Sequence, residues 1–325
     1  MKKLSQFMCL LFVFTLLNAC SNHILKTNAA VVSGPQEDYW QGDTVAKLHA
    51  AAKLIEISYL EPDRAIEKFK SGGWDVTYFA AESETWYSWD NYPEVYLLSR
   101  PDTDQLVSIF VGTNSAEDWI ENIKTNIFWD TGKKNAVYIP PGHAGYRRGV
   151  MNLSHGEFFT KHLPGHVEKY MDSNKVISIQ VLGHSQGGGI AQLIAPALDG
   201  HIYKKKKVKG KRDNWKLSVD TIYIFGAPYA VSKRHSDWHA LSETYGDRTY
   251  VVLKDSDMVA SAYDAMSYET KVPFRHFGKL VRISRDNQIS IEDTKWGEDT
   301  LFGDEPHAIK GYAHALSIQC QEDCN

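Results

Sequence analysis

The fold is decided by one stretch of the chain, VISIQVLGHSQGGGIAQLIAPAL, which occupies residues 176–198. Its first part, Val176 to Leu182, is an apolar run typical of a strand buried in the centre of a sheet. Its last part, Gly187 to Leu198, is predicted to form a helix. Between them lies Gly183-His-Ser-Gln-Gly187, a G-x-S-x-G turn. A serine on such a strand-to-helix turn presents its hydroxyl at the top of the sheet, so Ser185 is a candidate nucleophile.

The segments on either side of this stretch alternate between strand and helix patterns. Helices are predicted over 43–60, with Asp43 or Thr44 as N-cap and Pro62 just beyond the end, and over 145–170, interrupted at Pro164-Gly165. Further strands are predicted at 135–139, 221–225 and 249–253, and hairpins at 94–99 with 105–111 and at 279–284 with 288–291. This order predicts one α/β domain over residues 43–325, with a mostly parallel sheet, helices on both faces and antiparallel hairpins at the edges.

The N-terminus has the pattern of an export signal. Two lysines are followed by an apolar run over 7–17, which is too short to span a membrane. Leu17-Asn18-Ala19-Cys20 then resembles the bacterial lipobox, which implies lipidation of Cys20, and Ser21 permits sorting to the outer membrane. We therefore expect a signal peptide over 1–19, a tether over 20–42, and an exported lipoprotein at the periplasmic or cell-surface face of that membrane. The alternative is an ordinary secretory peptide in which Cys20 is incidental.

Composition excludes several classes of protein. The 325 residues are 43% hydrophobic and 23% charged, which is unlike a disordered chain or a fibrous rod. A net charge of −4 argues against a nucleic-acid-binding protein. The run from Lys204 to Arg212 carries seven positive charges, so Lys204, Lys205, Lys206 and Lys207 either contact anionic lipid or form a solvated loop. Cys320 and Cys324 either pair or remain thiols.

A serine nucleophile needs a base and an orienting carboxylate, which in this architecture follow it in the order acid, then histidine. Asp255 and Asp257 both lie just after the predicted strand 249–253, and the residues alone leave the choice open. His276, His307 and His314 are the histidines that follow, and the loop position of His307 suits a base best. The N–H of Gln186, at the helix start, is a candidate oxyanion donor.

Seven segments in this order resemble the class 3 (fungal-type) lipases of the α/β-hydrolase fold. They are Phe110-Val-Gly-Thr-Asn-Ser115 with Asp118-Trp119, His143-Ala-Gly-Tyr146, Gly183-His-Ser-Gln-Gly-Gly188, Phe225-Gly-Ala-Pro228, Asp257-Met-Val259, His276-Phe-Gly278, and His307 with Tyr312.

The resemblance implies a Ser185–Asp257–His307 triad, with His276 outside it and Thr113 in the oxyanion hole beside Gln186. It also places residues 116–123 where fungal members carry a mobile lid, and it puts Val111 where the family usually has arginine. The expected activity is that of a serine carboxylic-ester hydrolase acting on lipid acyl esters, triacylglycerol lipase-like, without metal or organic cofactor. Phospholipase A1 and short-chain esterase are alternatives, and a catalytically inactive membrane-tethered binding lipoprotein is the alternative of another class.

Overall fold

The structure is a computed structural model that describes residues 43–80, 93–100, 105–112, 139–140, 142–170, 176–200, 202–204, 214–232, 236–255, 257, 274–292 and 308–323. Several predicted features lie outside these residues. They are the signal peptide, Cys20 and the tether, all but the last residue of the strand expected at 135–139, the lid segment 116–123, Thr113, His307, Cys324, and the basic run after Lys204.

A mixed sheet forms the centre of the molecule, and within the described residues it has nine strands. They are β1 (Asp75–Ala80), β2 (Glu94–Ser99), β3 (Gln105–Phe110), β4 (Val176–His184), β5 (Ile202–Lys204), β6 (Asn214–Phe225), β8 (Thr249–Lys254), β10 (Lys279–Ile283) and β11 (Ile289–Glu292), while β7 (Val231–Ser232) and β9 (Phe274–Arg275) pair separately.

The strand order is β1-β2-β3-β4-β6-β8-β10-β11, with β5 joined to the side of β6. The four pairings from β3 to β10 are parallel. The outer pairings β1–β2, β2–β3 and β10–β11 are antiparallel. This arrangement confirms the predicted α/β-hydrolase fold, with a parallel centre and hairpins at both edges.

Helices cover both faces of the sheet. They are α1 (Thr44–Ser58), α2 (Pro62–Ser71), α3 (Ala144–His155), α4 (Leu163–Val167), α5 (Gln186–Leu198), α6 (Ser236–Tyr245) and α7 (Ile309–Asp323), with a π-helical turn at Phe158–His162 and 3₁₀ turns at Glu168–Tyr170 and Gly246–Arg248. Helices α3, α5 and α6 bury apolar side chains in one core, and α1, α2 and α7 bury theirs in a second core on the opposite face. No helix among the described ranges is both long enough and apolar enough to cross a membrane.

The predicted helix over 43–60 is confirmed, and Asp43 is its cap. Its Oδ1 accepts the Ala46 N–H at 2.8 Å, which satisfies a donor that the first helical turn leaves open. Pro62 does more than end that helix, because it begins α2 at a position where no backbone N–H is needed.

The predicted interruption at Pro164-Gly165 is wrong in position. Helix α3 ends earlier, at His155, and Glu157 follows with a φ of 65°. Pro164 instead lies in the first turn of α4, where its missing N–H costs no hydrogen bond. The chain therefore breaks at the Gly156-Glu157 pair and tolerates the proline.

Candidate active site

Ser185 lies on the turn between β4 and α5, at the carboxyl edge of the sheet. Its φ of 55° and ψ of −129° are unusual for a residue with a side chain. Two backbone bonds hold this conformation. The Ser185 N–H donates to Phe225 O at 3.0 Å, and the Ser185 carbonyl accepts from Gly188 N–H at 3.0 Å. The predicted strained turn is present, and the serine is 3% exposed.

The glycines of the turn allow the start of α5 to approach the ends of β3 and β4. A Cβ on Gly187 would lie 2.0 Å from Phe110 O, and one on Gly183 would lie 2.4 Å from Gly187 O. Both distances are far below a van der Waals contact. Only glycine fits at either position without displacing backbone, so the spacing of G-x-S-x-G is dictated by this contact.

The groups that flank Ser185 come from the start of α5 and from the segment after β3. Gln186 is the first residue of α5, and the N–H at that position has no acceptor within its own helix. A Cβ on Gly112, which follows the end of β3, would lie 3.1 Å from Ser185 Cβ. Thr113 is the next residue in the chain and lies outside the described residues. The segment that leads to one predicted oxyanion residue thus passes directly beside the serine.

Asp257 is buried just after β8, at the same edge of the sheet. It is 2% exposed, and its N–H donates to Lys254 O at 2.9 Å. The Tyr312 hydroxyl, from the first turn of α7, donates to Asp257 Oδ2 at 2.5 Å. The Tyr312 ring also contacts His184, with ring centroids 6.1 Å apart. Tyr312 therefore links the buried carboxylate to the residue that precedes Ser185.

Asp255 has a different environment from Asp257. Its Oδ1 accepts from Arg282 Nε at 2.6 Å, and its N–H donates to Ile283 O at 2.9 Å. Both partners belong to β10, so this carboxylate ties the end of β8 to the neighbouring strand. Of the two acids that the sequence left open, Asp257 is the one connected to the serine turn.

The three histidines that the sequence offers as a base also differ in their environments. His276 is 1% exposed and its Nε2 donates to Ala227 O at 3.0 Å. Burial lowers its pKa to about 3, so it stays neutral and holds the segment after β6 in place. His314 is exposed on α7. His307 lies outside the described residues, five positions before Tyr312.

Tyr59 is a residue of this region that the sequence did not reveal. The helical periodicity marks it as one more apolar position of α1, but its hydroxyl lies 2.7 Å from His184 Nδ1. No motif surrounds it. Its position one residue past the end of α1, level with the serine turn, becomes apparent only from the packed structure.

The parallel sheet and the serine turn define an α/β-hydrolase. The family model described as Lipase (class 3) matches residues 107–265. The match to this segment confirms the resemblance seen in the sequence and supports a lipase-type carboxylic ester hydrolase. A search of curated protein sequences gives no match.

Solved fungal lipase structures share the fold. Rhizomucor miehei lipase in its propeptide complex has a TM-score of 0.51 at 13% identity, over 76% of this chain and 69% of that chain. The refined Rhizomucor miehei triacylglyceride lipase has a TM-score of 0.51 at 12% identity, over 77% and 84%. A fungal lipase–inhibitor complex has a TM-score of 0.50 at 14% identity, over 76% and 83%.

Proposed function

We propose that the protein hydrolyses lipid acyl esters, as a triacylglycerol lipase does, through Ser185, Asp257 and His307. The observation that carries the proposal is the serine on its strained turn, joined through His184 and Tyr312 to the buried Asp257. Carboxylates are rarely buried unless hydrogen bonds or a functional role retain them. The triacylglyceride lipase among the structures of similar fold is consistent with this substrate class.

The proposed reaction follows the serine-hydrolase scheme. His307 takes the hydroxyl proton of Ser185 as Oγ attacks the ester carbonyl. Asp257 holds the imidazole in the correct tautomer and stabilises the imidazolium. The N–H groups of Gln186 and Thr113 donate to the tetrahedral oxyanion. His307 then protonates the departing alcohol, and water releases the acyl group from Ser185 by the same steps.

A series of p-nitrophenyl esters from C2 to C16 tests the proposal, with the full chain and its Ser185→Ala variant compared at each length. We expect the rate to rise with chain length and to fall by about 10⁴-fold or more in the variant. Activity confined to C2–C4 would indicate the short-chain esterase, and release of the sn-1 acyl chain from phosphatidylcholine would indicate phospholipase A1. A wild-type rate in Ser185→Ala, or a folded chain inactive at all lengths and at a lipid interface, would refute the assignment.

We also propose that Cys20 carries a lipid anchor to the outer membrane and that Lys204, Lys205, Lys206 and Lys207 add contacts to anionic headgroups. The lipobox pattern supports the first part, and the density of positive charge supports the second. Membrane fractionation of Cys20→Ala and of a variant with the four lysines changed to glutamine measures each part. A Cys20→Ala protein that remains in the membrane fraction contradicts the anchor.

A further inference from the structure

The phenol group of Tyr59 lies between the two chain segments that flank Ser185. Tyr59 is the C-cap residue of α1, one position past the end of the helix. Its hydroxyl is 2.7 Å from Nδ1 of His184, and the two rings meet edge to face with centroids 5.5 Å apart. The first of the two segments, the end of β4, is thus contacted by both the ring and the hydroxyl of Tyr59.

The second segment is the one that follows β3. A backbone hydrogen bond from Gly112 reaches the same Tyr59 oxygen. A Cβ on Gly112 would lie 2.4 Å from that oxygen and 2.7 Å from His184 O, so Gly112 leaves the space that the phenol occupies. The Tyr59 hydroxyl therefore contacts the residue before Thr113 and the residue before Ser185.

The direction of the two hydrogen bonds follows from the chemistry of the phenol. Burial raises the pKa of Tyr59 well above its usual value, so the hydroxyl keeps its proton at any ordinary pH. The oxygen accepts from the Gly112 N–H, which leaves the hydroxyl proton for His184 Nδ1. One side chain thereby donates to one segment and accepts from the other.

The position of this bridge relative to the sheet gives it a role. The parallel pairing of β3 with β4 ends at Phe110 and Gly183. Gly112 and His184 come after that last pair, where the ladder no longer fixes the distance between the two segments. The distance between Gly112 and Ser185 is set in this unpaired region, and the Tyr59 side chain contacts the chain on both sides of it.

We propose that Tyr59 is a positioning residue. It fixes the segment after β3, which contains Gly112 and leads to the proposed oxyanion donor, relative to the turn that carries Ser185. This inference rests on the proposed serine-hydrolase function. Removing the hydroxyl releases the two segments from each other without removing any reacting group. The donors are then poorly placed to stabilise the tetrahedral oxyanion, but binding of the ester is unaffected. We therefore expect kcat to fall and KM to stay unchanged.

The test is Tyr59→Phe in the full chain, with Tyr245→Phe as the matched control. Tyr245 is also buried, and its hydroxyl donates to Asp199 Oδ2 at 3.1 Å. Asp199 also accepts from the Val219 N–H, six residues before the end of β6 and about 20 Å from the serine edge. Both variants lose the hydrogen bonds of one tyrosine hydroxyl, but only Tyr59→Phe loses them beside Ser185.

We expect kcat for a p-nitrophenyl ester to fall by about 10- to 100-fold in Tyr59→Phe, with KM within twofold of wild type. The rate of phosphorylation of Ser185 by diethyl p-nitrophenyl phosphate, which places a phosphoryl oxygen in the same hole, is expected to fall in parallel. Tyr245→Phe is expected to keep the wild-type values of both rates, with a lowered Tm.

Two results overturn the inference while leaving the proposed function intact. One is a wild-type kcat in Tyr59→Phe, and the other is an equal loss of kcat in Tyr245→Phe, which would indicate a general effect of destabilisation. Failure of the function itself is seen separately, as activity that persists in Ser185→Ala. If Tyr59→Phe does not fold, His184→Phe keeps a ring in contact with Tyr59 but removes the Nδ1 partner of its hydroxyl, and it must lower the phosphorylation rate.

Discussion

At the scale of single residues, the backbone of Ser185 is held in a conformation that only glycine adopts readily. A side chain at a φ of 55° and a ψ of −129° costs about 1–3 kcal/mol. The hydrogen bonds to Phe225 and from Gly188 keep the residue there. Such a turn presents the hydroxyl at the top of the sheet, so the strain costs stability but suits Ser185 to the proposed role of nucleophile.

Replacing Ser185 by glycine and by alanine measures that strain. Both variants lack the nucleophile, so both are expected to be inactive. Glycine relieves the backbone strain, and this gain exceeds the roughly 0.5–1 kcal/mol of added unfolded-state entropy. We expect Ser185→Gly to melt about 2–4 °C above Ser185→Ala in differential scanning calorimetry. A lower Tm for the glycine variant would show that the turn is unstrained.

The sequence predicts these residues unevenly. Ser185 was found because a motif of close-packed glycines marks it, and Asp257 because it follows a strand and matches a family segment. The contact of Tyr59 with the serine turn was not predicted, because a tyrosine at a helix end has the same sequence pattern as any other core residue. Its partners, Gly112 and His184, are 53 and 125 positions away, and no local pattern encodes contacts at such separations.

At the scale of elements, the contact between α5 and the end of β3 depends on glycine. Gly187→Ala would place a methyl group 2.0 Å from Phe110 O, so the helix must move away from the strand. Overpacking of this kind costs about 1–3 kcal/mol. It also shifts the first turn of α5, on which Ser185 and Gln186 depend.

Gly187→Ala is therefore expected to lower both the Tm and kcat. Gly165→Ala in α4 is the matched control, because a Cβ there meets nothing within 4 Å. The control is expected to keep full activity and to be equally or more stable, since alanine favours a helix. Thermal melting and ester hydrolysis of both variants give the comparison. A Gly187→Ala variant with the wild-type Tm and kcat would mean that the close approach of α5 to β3 is not required.

The strands and helices were predicted best where burial is complete. β4, α5 and both hairpins matched the sequence closely, because apolar runs and turn residues bound them. Helix α2 was not predicted, because its ten residues PDRAIEKFKS bury only Ala65 and Phe69, and so short an apolar stripe is a weak signal. The first half of β6 was not predicted either, because the exposed Lys216 and Asp220 interrupt its apolar pattern.

At the scale of the whole molecule, three buried histidines make the fold sensitive to acid. Burial lowers the pKa of His143 and His276 to about 3, and that of His166 to about 4. The His166 ring bridges two strands, with Nδ1 2.8 Å from the Thr77 hydroxyl and Nε2 3.0 Å from the Ser99 hydroxyl. These contacts tie the antiparallel edge of the sheet to α4.

Because each folded-state pKa is below the unfolded value of 6.5, the unfolded chain binds protons first as the pH falls. The stability from each histidine is complete above pH 6.5 and decreases as the pH falls, to about pH 4 for His166 and to about pH 3 for His143 and His276. At pH 5 the loss from His166 is about 2 kcal/mol. Urea unfolding at pH 7.5 and pH 5 is expected to show a lower free energy of unfolding at pH 5. The His166→Gln substitution is expected to make the difference between the two pH values smaller. His314→Gln, at an exposed site, is the control and is expected to leave this difference unchanged. A wild-type free energy of unfolding that is equal at both pH values would contradict the role of the buried histidines.

The directions of α1 and α7 determine where the domain can be attached to a support without covering the serine edge of the sheet. Helix α1 ends at the serine edge and α7 begins there, and the two pack against each other in opposite directions. Their other ends, Thr44 and Asp323, lie about 20 Å away, toward the amino edge of the sheet. A bead or fusion partner coupled at either end would face that amino edge, so the immobilised protein would present its ester-accepting edge outward.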